Sequence, residues 1–137
     1  MTVDIFITTT FRGNFACCTG AYGIVLQLMV NGKPKTKEHY AGWAGLSYQK
    51  LNVRAVVEAI GYMQAPCDVV IHTDNPYIES VIKSGGSDGK YGTLWLDFFT
   101  AKNRMKSVTV KREKHHEYAS YLRNELKKEN YTTIADI

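Results

Sequence analysis

The sequence is short of the features that define several protein classes. It has only three cysteines, Cys17, Cys18 and Cys67, two of them adjacent and none in a Cys-x-x-Cys spacing. That excludes a disulfide framework and a zinc or redox knuckle, and the three read as reduced, buried or turn thiols. No apolar run approaches the roughly 20 residues that a membrane span needs. The first residues carry no basic segment followed by an apolar core and a cleavage site, so the expected setting is the cytosol, with no membrane involved. Internal repeats and low-complexity stretches are also absent.

What is present fits one core. A chain of 137 residues, 45% hydrophobic and 22% charged, is too short for two typical domains. One domain over residues 1–130 is expected, with 131–137 as a frayed C-terminal tail. The net charge of +4 is unevenly spread. From Lys102 to Lys128 there are nine Lys or Arg against Glu113, Glu117 and Glu125, so this stretch carries +6 and the remainder −2. Such asymmetry suits a phosphate-binding surface, and it also suits a merely solvated helix face.

The pattern along the chain predicts a mixed α/β order. Val3 to Ile7 reads as a strand entering the threonine run Thr8 to Thr10, and a Gly/Asn turn region follows. Ala21 to Val30 reads as a second strand, and "NGK" at 31–33 is a hairpin signal that returns a third strand through Lys35 to about Trp43. From Lys50 to Gln64 the period changes to that of a helix, with Val53, Val56, Ile60 and Met63 on one face. Cys67 to Thr73 is a fourth strand. It ends at Asp74, beyond which Asn75 and Pro76 suit a helix start and Gly85 and Gly86 a helix end. A Gly/Ser/Asp loop, a helix through Trp95, Leu96 and Phe99, a fifth strand "SVTV" at 107–110 and a helix from His115 to Glu129 complete the order. The apolar side of that last helix is expected to hold Tyr118, Tyr121, Leu122 and Leu126.

In this order the chain resembles the ribonuclease H type 1 family over nearly its full length. The family's first strand ends Thr-Asp-Gly-Ser before a Gly-Asn turn, and residues 5–14 read "IFITTTFRGN" before "GAYGIVL". Its first helix begins Asn-Asn-Arg-x-Glu, and residues 52–56 read "NVRAV". "TDNPY" at 73–77 is similar to the family's Thr-Asp-Ser-x-Tyr. Trp95, "VTVK" at 108–111 and "HEYASYL" at 116–122 are similar to its later Trp, its Val-Lys strand and its Asn-Glu-x-x-Asp-x-Leu helix. The resemblance implies a ribonuclease H-like α/β fold: a five-stranded mixed sheet, made of a three-strand antiparallel meander and two further strands, with helices on both faces.

Family members cut the RNA strand of an RNA–DNA hybrid with two divalent ions about 3.5–4 Å apart, which demands clustered carboxylates. Carried over position by position, the first-strand Asp falls at Thr8, the first-helix Glu at Val56 and the last-helix Asp at Ser120, with His116 and Glu117 as alternatives for that last register. Only Asp74 keeps its carboxylate. It is a weak metal candidate, and N-capping by Asp74 or Asn75 is the simpler role for this corner. Other acids are poorly placed to compensate. Glu58 lies about 200° around the helix from the expected position, and Asp4 lies roughly 13 Å down the strand from Thr8. His115 and His116 lie near the family's mobile His, as candidates for proton transfer or, with Asp74, for a transition-metal site; exposed helix-start histidines are the plainer reading. His39 and His72 read as ordinary strand residues.

Binding features survive better than catalytic ones. Thr9, Thr10, Arg12, Asn14, Asn52, Arg54, Trp95, Lys111 and Arg112 correspond to surfaces on which the family tracks a hybrid's backbone, using groups that contact phosphate and 2′-hydroxyl without reading sequence. Three readings follow. The first is a degenerate ribonuclease H-like protein that binds RNA–DNA hybrid or duplex RNA and needs no cofactor. The second is a protein-interaction module on the same fold. The third is an active ribonuclease H with an unorthodox site, the only one requiring Mg²⁺ or Mn²⁺.

Overall fold

The computed structural model of the chain describes residues 1–86 and 89–128. Within them lie five strands and four helices: β1 (Thr2–Gly13), β2 (Cys18–Val30), β3 (Lys33–Leu46), α1 (Tyr48–Gly61), β4 (Asp68–Thr73), α2 (Pro76–Ser84), α3 (Gly92–Lys102), β5 (Ser107–Arg112) and α4 (Ala119–Lys128). The strands form one sheet in the order β3-β2-β1-β4-β5. β1, β2 and β3 pair antiparallel, whereas β1 with β4 and β4 with β5 pair parallel. The expected tail at 131–137 and the end of the last helix at Glu129 lie outside the described residues.

Local chemistry sets most of the boundaries. Asn31 and Gly32 both take positive φ, 53° and 76°, which joins Val30 to Lys33 as a two-residue hairpin. Ser47 Oγ accepts from the Lys50 N–H at 3.0 Å, so α1 starts at Tyr48, two residues before the expected Lys50. Asn75 Oδ1 accepts from the N–H groups of Tyr77 and Ile78, Pro76 takes the first helical position, and Gly85 closes α2 at φ 78°. β1 does not stop at the threonine run. It keeps pairing with β2 out to Gly13↔Cys18.

Alternation along β1 divides its side chains between two layers. Val3, Ile5 and Ile7 face one cluster with Ile24, Leu26, Val53, Val56, Ile60, Ile71, Ile78, Trp95 and Phe98, so α1, α2 and α3 cover that side. Phe6 faces the other side, where it meets Val25 and the fully buried Leu122 of α4. Burying a leucine of this kind contributes about 1.5–3 kcal/mol. Gly23 permits this second layer, since a Cβ there would stand 3.0 Å from both the Leu122 side chain and the Tyr40 ring. Helices therefore cover both faces, as the resemblance implied. Among the described residues no helix is long and apolar enough to cross a membrane.

α4 begins at Ala119 and not at His115. The physical reason is His116. Its ring turns inward, its Nδ1 accepts from the Tyr118 N–H at 3.2 Å, and its carbonyl accepts from the Ala119 N–H, so residues 116–118 form the turn that starts the helix. On α4, Leu122 and Leu126 are buried as expected, whereas Tyr121 is exposed and donates to Glu38 at 2.7 Å.

Candidate functional site

The strand order creates one topological switch. From β1 the chain moves outward through β2 to β3, and from β4 it moves the other way to β5. Ligands of open α/β sheets sit in the crevice beyond the carboxyl ends of strands at such a point. β1 and β4 are last paired at Phe6↔His72, and Thr8 and Asp74 each lie two residues beyond that pair. The resemblance and the topology therefore point to the same place.

The side chain that meets Thr8 is His116. Thr8 Oγ1 lies 3.1 Å from His116 Nε2, and the Ile7 carbonyl lies 3.0 Å from the same nitrogen. Because the Tyr118 N–H donates to Nδ1, that nitrogen is an acceptor and Nε2 carries the proton. The ring is thus a neutral donor toward Thr8 and Ile7. Burial pushes its pKa below the ordinary imidazole value, against the opposing pull of the Ile7 carbonyl and of the Asp74 charge. Three chemical consequences follow. Nε2 has no lone pair with which to deprotonate the Thr8 hydroxyl, so Thr8 is not activated as a nucleophile. Neither nitrogen is open to a metal, which corrects the expectation of a His–Asp74 transition-metal site. And His116 is a buried residue, not an exposed helix-start histidine; His115 is exposed but lies four residues before α4.

The other carried-over positions are dispersed. Val56 is 1% exposed inside the larger apolar cluster. Ser120 is exposed on the first turn of α4, so the contact with Thr8 falls to His116 in the alternative register. Asp74 is exposed beside the Asn75 cap, and the capping oxygen belongs to Asn75. Glu58 is engaged elsewhere, accepting from the Tyr22 and Tyr62 hydroxyls at 2.6 and 2.9 Å. Glu58 in turn adds to the effect of burial in pushing the Tyr62 phenol up to about 12. Two divalent cations do not fit what remains around Asp74, namely one hydroxyl already bonded to an imidazole, an imidazole with both nitrogens engaged, and a valine in the core. Among the described residues no three His, Cys, Asp or Glu side chains converge as metal ligands.

The expected binding residues divide by exposure. Arg12, Asn14, Lys111 and Arg112 are exposed, and Thr9, Thr10 and Arg54 are half-buried. Trp95 is 1% exposed, with its indole N–H donating to the Tyr77 hydroxyl at 3.3 Å, so it is a core residue and not a surface one. Asn52 is 3% exposed; its Oδ1 accepts from the Thr9 hydroxyl and its Nδ2 donates to the Tyr48 carbonyl, so its amide holds α1 to β1. The Arg54 guanidinium lies 4.2 Å over the Trp43 ring. Lys111 pairs with Glu113 at 2.9 Å, and Arg112 stands 3.8 Å from Glu79.

Sequence reasoning missed a charged cluster farther down the same sheet face. His72 lies between Asp4, 2.8 Å from Nε2, and Glu113, 3.3 Å from Nδ1, and stacks on Phe6 at 4.2 Å. Lys111 and then His72 hold the Glu113 carboxyl below its ordinary value despite partial burial. The signal was faint: Asp4 sits at an even position of a strand whose even Phe6 already marked that face as covered. A cavity of about 400 Å³, lined in part by Val3, Leu26, Leu28, Lys35, Met63 and Cys67, lies at the opposite ends of the strands from Asp74.

No protein-family model matches the chain. Curated relatives do. It is 32% identical over 80 residues to a ribonuclease H of Herminiimonas arsenicoxydans, spanning 58% of this chain and 51% of that relative. It is 30% identical over 133 residues to a ribonuclease H of Clostridium botulinum, spanning 85% of this chain and 87% of that one. The chain belongs to the ribonuclease H family. The chain spans about half the length of the Herminiimonas, Janthinobacterium and Chromobacterium relatives. In fold it is similar to the LC11 ribonuclease H1 solved in complex with an RNA/DNA hybrid, with a TM-score of 0.64 and 17% identity over 88% of this chain and 92% of that one. Of the positions that the resemblance assigns to carboxylates, Thr8 and Asp74 lie at the strand switch, Val56 is in the core and Ser120 is exposed on α4, while the side chain in contact with Thr8 is His116.

Proposed function

We propose that the chain is a degenerate ribonuclease H, a cytosolic protein that binds RNA–DNA hybrid or duplex RNA through shape and charge and whose hydrolysis is lost or very weak. One observation carries the reading: where paired carboxylates are needed beside Asp74, Thr8 Oγ1 is bonded at 3.1 Å to a buried imidazole. Charge count is what offsets the stripping of water from a hard divalent cation, and one exposed carboxylate supplies little of it. No metal is required in this reading. Mg²⁺ or Mn²⁺ enters only if nuclease activity persists.

Binding keeps more support than cleavage does. Arg12, Asn14, Lys111 and Arg112 remain exposed, the stretch from Lys102 to Lys128 carries +6, and a family relative of the same fold holds an RNA/DNA hybrid. Basic and amide groups of this kind grip a backbone without reading bases, so affinity is expected to fall steeply as salt rises.

The test is one gel experiment. End-labelled hybrid is incubated with the protein across Mg²⁺ and Mn²⁺ concentrations and run both native and denaturing, with Asp74→Asn as control. A shifted, uncut hybrid is the expected result. Cleavage that disappears in the control would overturn it in favour of an active enzyme with an unorthodox site. Neither shift nor cleavage would leave the protein-interaction module on this fold as the surviving reading.

A further inference from the structure

Beyond Thr8, β1 runs on into an aromatic surface that the core does not use. Phe11 and Phe15 are 36% and 68% exposed, with ring centroids 5.2 Å apart. Tyr48, at the start of α1, backs both, at 4.5 Å from Phe11 and 5.5 Å from Phe15. The exposed rings are held in place. Asn14 Oδ1 accepts from the N–H groups of Ala16 and Cys17 at 3.0 and 2.9 Å, and the Phe15 carbonyl accepts from the Tyr48 N–H at 2.9 Å. A braced turn that presents a largely wet phenylalanine is a preformed apolar surface, and no ordering of the turn is needed to use it.

Two further observations say what it fits. The first is charge. No Asp or Glu occurs between Asp4 and Glu38 or between Glu38 and Glu58, while Arg12 lies between the two phenylalanines and Lys50 and Arg54 follow on α1. The segments that build this surface therefore favour a polyanion. The second is continuity. Tyr48 Oη is 3.1 Å from Thr9 Oγ1, and Thr9 adjoins Thr8, so the rings extend the strand end that carries the candidate site. Phe11 is three residues past Thr8, roughly 10 Å along a strand. That is about three base steps at 3.4 Å each.

We propose that Phe15 and Phe11 form a stacking platform for an unpaired nucleobase that continues one strand of a duplex bound over Thr8 and Asp74. The proposal rests on the nucleic-acid-binding reading above and adds a preference to it. Within a duplex each base face is covered by its neighbours. Only an unpaired base offers an open π face to an aromatic ring, and it does so whatever its identity. The preferred substrate is accordingly a duplex with a single-stranded extension, not a blunt one.

The experiment compares blunt RNA–DNA hybrid with the same hybrid carrying a three-nucleotide overhang of either polarity, by fluorescence anisotropy, with 2-aminopurine in the overhang reporting stacking. The wild-type chain is expected to bind one overhang polarity about fivefold or more tighter than the blunt hybrid, the scale of one base–aromatic stack. Binding should also alter the 2-aminopurine emission. Phe15→Ala is expected to erase the preference and the emission change while leaving blunt affinity unchanged, and Phe15→Tyr to retain both. Folding is not at stake at so exposed a position. Equal affinity for blunt and extended hybrids, or a preference that survives Phe15→Ala, would overturn the platform and leave the nucleic-acid reading standing. Binding to neither hybrid would overturn both.

Discussion

Two buried histidines flank Phe6 on the same face of the sheet, and their surroundings are opposite. His72 sits between the carboxylates of Asp4 and Glu113, whereas His116 sits among a carbonyl, a hydroxyl and an N–H. Carboxylates only accept, so His72 meets each of them as a donor; the Tyr118 N–H needs an acceptor, so His116 is a neutral ring. The chain thus puts carboxylates in contact with the histidine near the start of β1 and only neutral groups in contact with the one at the strand end, where Asp74 is the remaining anion. What separates the two regions is their partners, not the residue type.

His72→Leu should break the comparison at its charged end and have the largest effect. It leaves Asp4 without its imidazole donor and Glu113 with Lys111 alone, and it removes the stack on Phe6. The expected loss is about 3 kcal/mol at pH 7, read from the urea midpoint, because removing one partner strands partly buried charge. The loss should shrink at acid pH, where the carboxylates are protonated. A penalty that is unchanged by acid would mean that packing alone holds this cluster.

His116→Leu tests the neutral end and should cost about 2 kcal/mol, through the unpaired Tyr118 N–H and Ile7 carbonyl. Its second signature is in the pH dependence. Burial holds the folded imidazole below its ordinary 6.5, so the unfolded chain binds the proton more readily. Stability from this source is fully present above pH 6.5 and is lost as pH falls from there through the lowered folded value. Urea melts between pH 5 and 8 should show the wild type losing stability on acidification more steeply than His116→Leu. Parallel curves would contradict the buried neutral ring.

Most of the fold was legible because its signals are local. Asn31 and Gly32 specify their hairpin, Pro76 and Gly85 bracket α2, and Val53, Val56 and Ile60 share a face, so Val56 was readable as a core residue from its spacing alone. The candidate site was legible only in outline. Thr8 and Asp74 follow from the strand ends, but the partner of Thr8 lies 108 residues away and the partner of His72 lies 68 residues away. No window of sequence reveals which side chains a sheet face will gather from such distances. The same limit explains Trp95 and Asn52, polar-tipped residues that read as surface groups until tertiary packing supplied Tyr77, Thr9 and Tyr48 as partners.

Thr8→Asp is the smallest change and the sharpest, since it makes the neutral end resemble the charged one. The new carboxylate would stand beside His116 and near Asp74, so the imidazole should be drawn toward its charged form, as a carboxylate neighbour favours. Without a cation the substitution is expected to lower the melting temperature, through repulsion from Asp74 and disturbance of the His116 bonds. With a cation the sign reverses. Two carboxylates at the strand switch bring more of the charge that a hard divalent ion needs, and a millimolar site would add about 1.4 kcal/mol at tenfold excess. Thermal melts with 0 and about 10 mM Mg²⁺, the excess assumed in that estimate, should therefore separate for Thr8→Asp and coincide for the wild type. Coincident melts for the variant would show that losing the Thr8 carboxylate is not by itself what bars a metal, and that the core position of Val56 matters as much. Separated melts for the wild type would show that Asp74 already holds a cation, and would move the chain back toward an active ribonuclease H.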